Sequence, residues 1–441
     1  MAVVASLTLS NSQSKPERVF TDNAQPQNRC QLTKAEVRLS LHSIRLPESA
    51  DFHLIDQLPE SPAAFIRNGD GLVGWGEAVR LTARGPQRMQ ELAKAWRALV
   101  EETQVIDEVR VPGSGLVAFG SFAFADDSES ESVLIVPRVL LGTRDGVRWL
   151  TRVAGGDDEN FWDEPLTYRA NSPITLTDGL QSADGFMQSV RDAISSIENS
   201  RVEKVVLARD LVAQVDSNFD VRTALKRMAT KYPTCWTYSV DGLFGASPEL
   251  LVRVSHKQVS ARVLAGTAGR GTDPGVDFAI SNALAASSKN ITEHRFAVKS
   301  LVDELQKFCS QVDADSEPFS LQLPNLWHLA SDVHAVLRDD ASVLDLAALL
   351  HPTAAVAGTP TGEAQKLISE LEPFDRGRYA GPVGWIGADG DGEWAIALRG
   401  ALLSENQITA FAGCGIIAES DPDAELDETE LKFKPIREAL A

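Results

Sequence analysis

Residues 235–266 read CWTYSVDGLFGASPELLVRVSHKQVSARVLAG. Apolar runs of strand length alternate there with short turns, among them Asp241-Gly242 and Ser247-Pro248. Gly, Pro, Asp and Ser tolerate turn geometry that other residues resist, so the stretch predicts a meander of strands. The same grammar recurs elsewhere. AAFIRNGDGLVGWGEAV sets Asn68, Gly69, Asp70 and Gly71 between two apolar segments, a hairpin signal. VGWIGADGDGEWAIALRGALLSENQITAFAGCGII reads as hairpins with polar tips, and VEKVVLARDLVAQ as a buried strand. Helical periodicity is confined to separate segments: 184–199, VRTALKRMATKY, and DFAISNALAASSKNITEHRFAVKSLVDELQKFCS, which reads as one long amphipathic helix. Antiparallel hairpins mixed with segregated helices favour an α+β fold over a doubly wound sheet.

The chain has 441 residues and a formal charge of −20, from 62 acidic against 42 basic side chains. Lys and Arg form no long cluster, which argues against a nucleic-acid partner and against anionic membrane surfaces. A small anionic substrate is still admissible, provided local cations or a metal reverse the field in its pocket. No apolar run is long enough to span a membrane. The N-terminus MAVVASLTLSNSQSKPERVF is a poor signal peptide, so the cytosol is the expected location. Cys30, Cys235, Cys309 and Cys414 lack metal or redox spacing and read as packed thiols. The first 30 residues read as a polar, partly flexible segment, 31–180 as a strand-rich part, and 154–179 as a linker by composition.

Several residues invite chemistry. Glu425, Glu428 and Lys432 recur at helical spacing, which lines up two carboxylates and one ammonium. In SKNITEHRF, Asn290 and Glu293 share a helix face, while His294 points elsewhere and reads as structural or as a support behind the metal ligands. Oxygen-only ligands of this kind suit a hard cation such as Mg²⁺. Lys204 opens an apolar strand, where it must snorkel or face a polar cavity, and desolvation would make it a usable base. Glu249 enters a strand from a tight turn, where partial burial would keep it protonated. Arg399 ends an apolar strand and is suited to gripping a carboxylate. GTAGRG at 266–271 fits neither phosphate-loop pattern, so its glycines serve a turn or close backbone approach. Each of these has a plainer alternative: a solvated helix face, an exposed lysine, a strand-edge charge.

Ten segments stand in order: KVVLAR, GASPELLVR, LAGTAGRG, TEHRF, HLASDVHAVL, LHPTAAVAGTP, ELEPFDRGRYAGPVGW, GEWAIALRG, FAGCGII and ELDETELK. Together they resemble the chorismate-utilising enzymes, the family of isochorismate, salicylate, anthranilate and aminodeoxychorismate synthases. The resemblance is strong over 181–441 and weak before it. It implies two stacked antiparallel sheets flanked by helices, and a Mg²⁺-dependent pocket for chorismate. It implies that Glu293 and Glu428 ligate the metal directly and Glu425 through water. Arg399, Tyr379, Lys432 and the backbone of Gly413 and Gly415 resemble binders of the two substrate carboxylates. Gly266 and Thr267 resemble a loop at the ring substituent, and His328 a histidine near the pyruvyl side.

Within the family, Lys204 matches the lysine that activates water in isochorismate and salicylate synthases. Ala265 stands where a covalent lysine would be, and Ala355 favours stopping at isochorismate. The resemblance therefore implies an isomerase that adds water at C2 and expels the C4 hydroxyl, with Lys204 as base and Glu249 as acid. Salicylate synthase and an anthranilate-type component are the alternatives. No glutaminase partner is expected, and a monomer is. Asn290 replaces a usual carboxylate and removes one negative charge from the metal side.

Overall fold

The structure is a computed structural model that describes residues 4–6, 39–154, 166–338 and 341–441; the side chains of residues 4–6, Lys289 and Glu293 are not among those described. Of the N-terminal segment expected over 1–30, only Val4–Ser6 is described, as a strand beside Val79–Ala83. The remainder of that segment and part of the 154–179 linker lie outside the described residues.

The described strands form two sheets, of 11 and 13 strands. Strand pairing after residue 177 is antiparallel among the described residues, and Ser40–Arg45 runs parallel to Gln104–Asp107. The expected α+β architecture is what the chain adopts. Aromatic and branched side chains from both sheets meet between them: Phe65, Trp149, Trp236 and Tyr238 from one, Phe119, Val383 and Trp385 from the other. Strands such as Ser132–Val136 are buried at every position, which is why they read as continuous apolar runs rather than alternating ones. The outer faces are closed by helices. Arg88–Glu102 and Val343–Leu350 share one core with Leu251, Val252 and Val254, while Val221–Lys231 and Pro422–Leu440 share another with Ala410 and Ala412.

The N-terminal strands belong to these same sheets. Val117–Ser121 pairs with Pro382–Gly387, and Ala63–Arg67 with Trp236–Val240. The Ala63–Arg67 and Asp70–Trp75 hairpin turns at Asn68-Gly69, both with positive φ (52° and 86°), as a two-residue turn of this kind demands.

Two expectations need correction. Ser247-Pro248 is no hairpin turn within one meander: Leu243–Ser247 belongs to the 13-stranded sheet and Leu250–Ser255 to the 11-stranded one. The chain crosses between sheets there, and again between Gly392–Ile396 and Gly400–Ser404. The long amphipathic helix is two helices, Pro274–Ala286 and Ser288–Leu305. Ser287 between them is extended (φ −69°, ψ 110°) and its hydroxyl accepts from the Asn290 N–H, capping the second helix.

Candidate active site

Both crossovers open on one cavity of about 280 Å³. Its wall includes Lys204, Glu249, Gly266, Thr267, His328, Ala355, Tyr379, Arg399, Gly413, Gly415, Glu425, Glu428 and Lys432. These are thirteen of the fourteen residues singled out in the sequence; the side chain of the fourteenth, Glu293, lies outside the described residues. Asn290 also reaches the cavity, whereas His294 is buried with Nε2 2.9 Å from the Ser331 hydroxyl, the structural role expected of it.

Lys204 begins the strand Lys204–Gln214, which pairs with Gln407–Ile416 so that Gly415 lies opposite Val206 and Gly413 opposite Ala208. The two glycines have different duties. A Cβ on Gly415 would fall 2.6 Å from Cε and 3.2 Å from Nζ of Lys204, so the missing side chain is the space the lysine occupies. A Cβ on Gly413 would fall 2.6 Å from the Leu207 carbonyl oxygen, which is backbone and cannot swing away. Gly415→Ala is therefore expected to fold normally and lose about tenfold to a hundredfold in kcat by displacing the lysine. Gly413→Ala is expected to lower stability by about 1–3 kcal/mol. Thermal melts beside steady-state kinetics separate the two effects.

Glu249 sits in the first crossover. Its N–H donates to the Ser247 hydroxyl at 3.2 Å, and its carbonyl accepts from Ile396 N–H at 3.1 Å, so its backbone is fixed to the strand before it and to Gly392–Ile396. The side chain is buried. Burial pushes its pKa up to about 7, against the opposing pull of Arg399, Lys432 and Lys204. A carboxyl surrounded by three cations is thus still half protonated at neutral pH.

Arg399 occupies the second crossover with φ +52°, a left-handed conformation unusual for a non-glycine residue. It is buried, and its Nη1 has no hydrogen-bond partner. Its Nη2 lies 3.5 Å from His328 Nε2. His328 is opposite Thr267 in the strand pair, next to the bulge that Gly266 forms with φ +81°. Burial, reinforced by Arg399 and Lys432, lowers the His328 pKa to about 3, so the ring is neutral. Nδ1 is 3.3 Å from the Gly266 carbonyl, which only accepts; Nδ1 therefore carries the proton, and Nε2 accepts from Arg399. Tyr379 stacks on Phe411 at 5.0 Å and 18°, and burial pushes its phenol up to about 12.

The acidic side of the cavity is the helix Pro422–Leu440, started by Asp421, whose carboxylate accepts from Ala424 N–H, with Pro422 in the first turn. Burial would raise Glu428, but the Lys432 ammonium at 2.6 Å, aided by Arg399 and Lys204, holds it below the usual range. Glu425 goes the other way: burial and the neighbouring Glu428 charge raise it, while the Ser420 hydroxyl donates to its carboxylate at 2.7 Å. Two carboxylates in mutual repulsion beside the Asn290 amide offer oxygen donors only, a set that fits a hard divalent cation. Among the described residues, which do not include the Glu293 side chain, no three His, Cys, Asp or Glu side chains converge.

The sequence pattern of the chorismate-binding enzymes matches residues 25–441. The chain belongs to that family. Isochorismate synthase MenF of Bacillus subtilis is 31% identical over 404 residues, covering 84% of this chain and 85% of that protein. Isochorismate synthase EntC of Escherichia coli is 38% identical over 253 residues, covering 56% of this chain and 65% of that protein. Among solved structures, a putative 2,3-dihydroxybenzoate-specific isochorismate synthase from Bacillus anthracis superposes with TM-score 0.73 at 28% identity, covering 88% of this chain and 98% of that one. Anthranilate synthase component I from Streptococcus pneumoniae shares the fold, with TM-score 0.66 at 20% identity over 96% of this chain and 100% of that one.

This chorismate-binding enzyme also builds its cavity from residues that the sequence analysis passed over. Glu372 and Arg376 form a buried pair with contacts of 2.5 and 2.8 Å. The same guanidinium donates to the carbonyls of Val206 and Val356, two cavity residues on different segments. Glu372 accepts from Ala208 N–H at 2.8 Å, tying the pair to the lysine strand. Removing either partner would leave an uncompensated buried charge. The signal was present in ELEPFDR as an acid and a base four residues apart, a spacing that ordinarily marks an exposed helix pair.

Proposed function

We propose that this enzyme is an isochorismate synthase, an isomerase that converts chorismate to isochorismate. Lys204 takes a proton from the water that adds at C2. Glu249, in its protonated form, gives a proton to the C4 hydroxyl, which leaves as water. The ring double bonds shift between the two events, and substrate and product are isomers. The observation that carries the reading is the Glu249 carboxyl near pH 7, set in one cavity with Lys204 and with a buried guanidinium whose Nη1 is unpartnered. An acid from the crossover between the sheets and a base from the 13-stranded sheet are the pair that water addition with hydroxyl loss requires.

Arg399 grips a substrate carboxylate through Nη1, with Tyr379, Lys432 and the Gly413 and Gly415 backbone around it, and the neutral His328 holds Arg399 in place. Gly266, Thr267 and Ala355 shape the cavity around the ring. Glu428 and Glu293 would hold Mg²⁺ directly and Glu425 through water, and the ion would supply positive charge for the ring carboxylate of a dianionic substrate. Glu428→Ala is expected to raise the Mg²⁺ concentration for half-maximal activity at least ~10-fold, in line with losses on disturbing metal sites. An unchanged metal titration would remove Glu428 from the ligand set.

Incubation of the full chain with chorismate and Mg²⁺, followed by chromatography, tests the function. Isochorismate without pyruvate supports it. Pyruvate release would make the enzyme a salicylate synthase, and an aromatic amine formed with ammonia would make it an anthranilate-type synthase. The proposed enzyme acts as a monomer in the cytosol with chorismate as its small-molecule partner and without a glutaminase; no helix among the described residues is long and apolar enough to cross a membrane.

A further inference from the structure

Glu249 walls a second cavity as well as the first. This one is also about 280 Å³ and shares Glu249 and Ala355 with the reaction cavity. Its lining mixes apolar residues, Leu250, Val263 and Leu301 among them, with polar side chains. The Thr353 hydroxyl is buried and has no hydrogen-bond partner. His351 donates from Nε2 to the Phe124 carbonyl at 3.0 Å, and burial lowers its pKa to about 4, so Nδ1 is a neutral acceptor. At the other extreme Ser300 is exposed, beside the half-buried Arg262 and Glu304, so the cavity reaches solvent there.

Proton balance gives this cavity a task. Each forward turnover leaves Lys204 with one proton more and Glu249 with one fewer, and the reaction as a whole is proton-neutral. The cycle closes only when Lys204 releases a proton and Glu249 regains one. Substrate bound between the two residues would occupy the cavity they share. Lys204 has a separate outlet, a cavity of about 430 Å³ whose wall includes the exposed Thr292 and Phe296. Glu249 has the cavity with Thr353. A water molecule occupies about 30 Å³ of liquid volume, so several fit there, and a buried hydroxyl without a partner is the kind of group that orders one.

We propose that the cavity behind Glu249 is a water-filled passage. Through it Glu249 regains its proton, and the oxygen expelled from C4 departs as water. Thr353 is a positioning residue that orders the water next to Glu249. The proposal rests on the chorismate isomerisation described above.

Thr353→Val keeps the side-chain shape and removes the hydroxyl. Steady-state kinetics of the full chain in H₂O and D₂O test the idea. The expected result is a fall in kcat of about tenfold, with KM for chorismate changed less than about twofold. The solvent isotope effect on kcat should rise, and Thr353→Ser should restore both. Ser300→Trp, at the exposed mouth, should lower kcat in the same way and keeps the test open if Thr353→Val folds poorly. Wild-type turnover separates the failures. A wild-type enzyme inert toward chorismate removes the functional reading and the passage with it. An active wild type, with kcat and isotope effect unchanged in both Thr353→Val and Ser300→Trp, overturns the passage alone. A loss that Thr353→Ser fails to restore also overturns it.

Discussion

Glu249→Gln is expected to lower kcat at least ~10²-fold, the usual contribution of a positioned general acid. The amide matches the shape of the carboxylic acid but has no proton to give to the C4 hydroxyl. Its backbone anchors to Ser247 and Ile396 are untouched, so the fold should hold, as circular dichroism would register. The pH dependence has a definite sign. Burial raises the Glu249 pKa from the ordinary 4.5 to about 7, so the protonated acid is the majority below that pH and is lost above it. Activity limited by this acid falls as pH rises through about 7. Stability follows the same group. Its contribution is fully present below pH 4.5, where both states are protonated, and is lost as pH rises toward 7 and the folded protein must ionise a buried carboxyl. Glu249→Gln never ionises. It should therefore melt higher than wild type at pH 8 while turning over far more slowly. Stability gained where activity is lost is the mark of a residue strained for function.

Lys204→Ala is the second large loss, again at least ~10²-fold in kcat. The ammonium stem lies in the space that Gly415 leaves open, so truncation removes the base and leaves a gap at the end of a strand without disturbing the pairing with Gln407–Ile416. Lys204→Arg should not rescue activity, because a guanidinium stays protonated and cannot accept a proton from water. Binding of chorismate, measured by equilibrium titration, should survive in both variants, since Arg399 and its neighbours are intact. Wild-type turnover by Lys204→Ala would remove the lysine from the mechanism.

Much of this was legible in the chain because local chemistry constrained it. Asn68-Gly69 must turn with positive φ, and it does. Asp421, Pro422 and the Glu425–Glu428–Lys432 spacing specify a helix start with one acidic face, and that face enters the cavity. Other features were hidden because they are not local. The Ser247-Pro248 signal reports that the chain turns, not which sheet it turns toward. The break at Ser287 was masked by apolar periodicity that continues across it, although the serine cap was visible in ASSKN. The Glu372–Arg376 spacing does not show that the pair is buried, because burial is a property of the packed sheet and not of the spacing. The family resemblance carried the site, and the physical reading of Lys204, Glu249 and Arg399 explains why those residue types stand there.

The most direct test of the central claim, an acid and a base that exchange one oxygen for another across a ring, is turnover of chorismate in H₂¹⁸O. The account expects isochorismate carrying one ¹⁸O, on the new C2 hydroxyl, with wild-type enzyme, and no labelled product from Lys204→Ala. Isochorismate that retains the original oxygen and takes up no label would contradict it, because no solvent water would then have been activated.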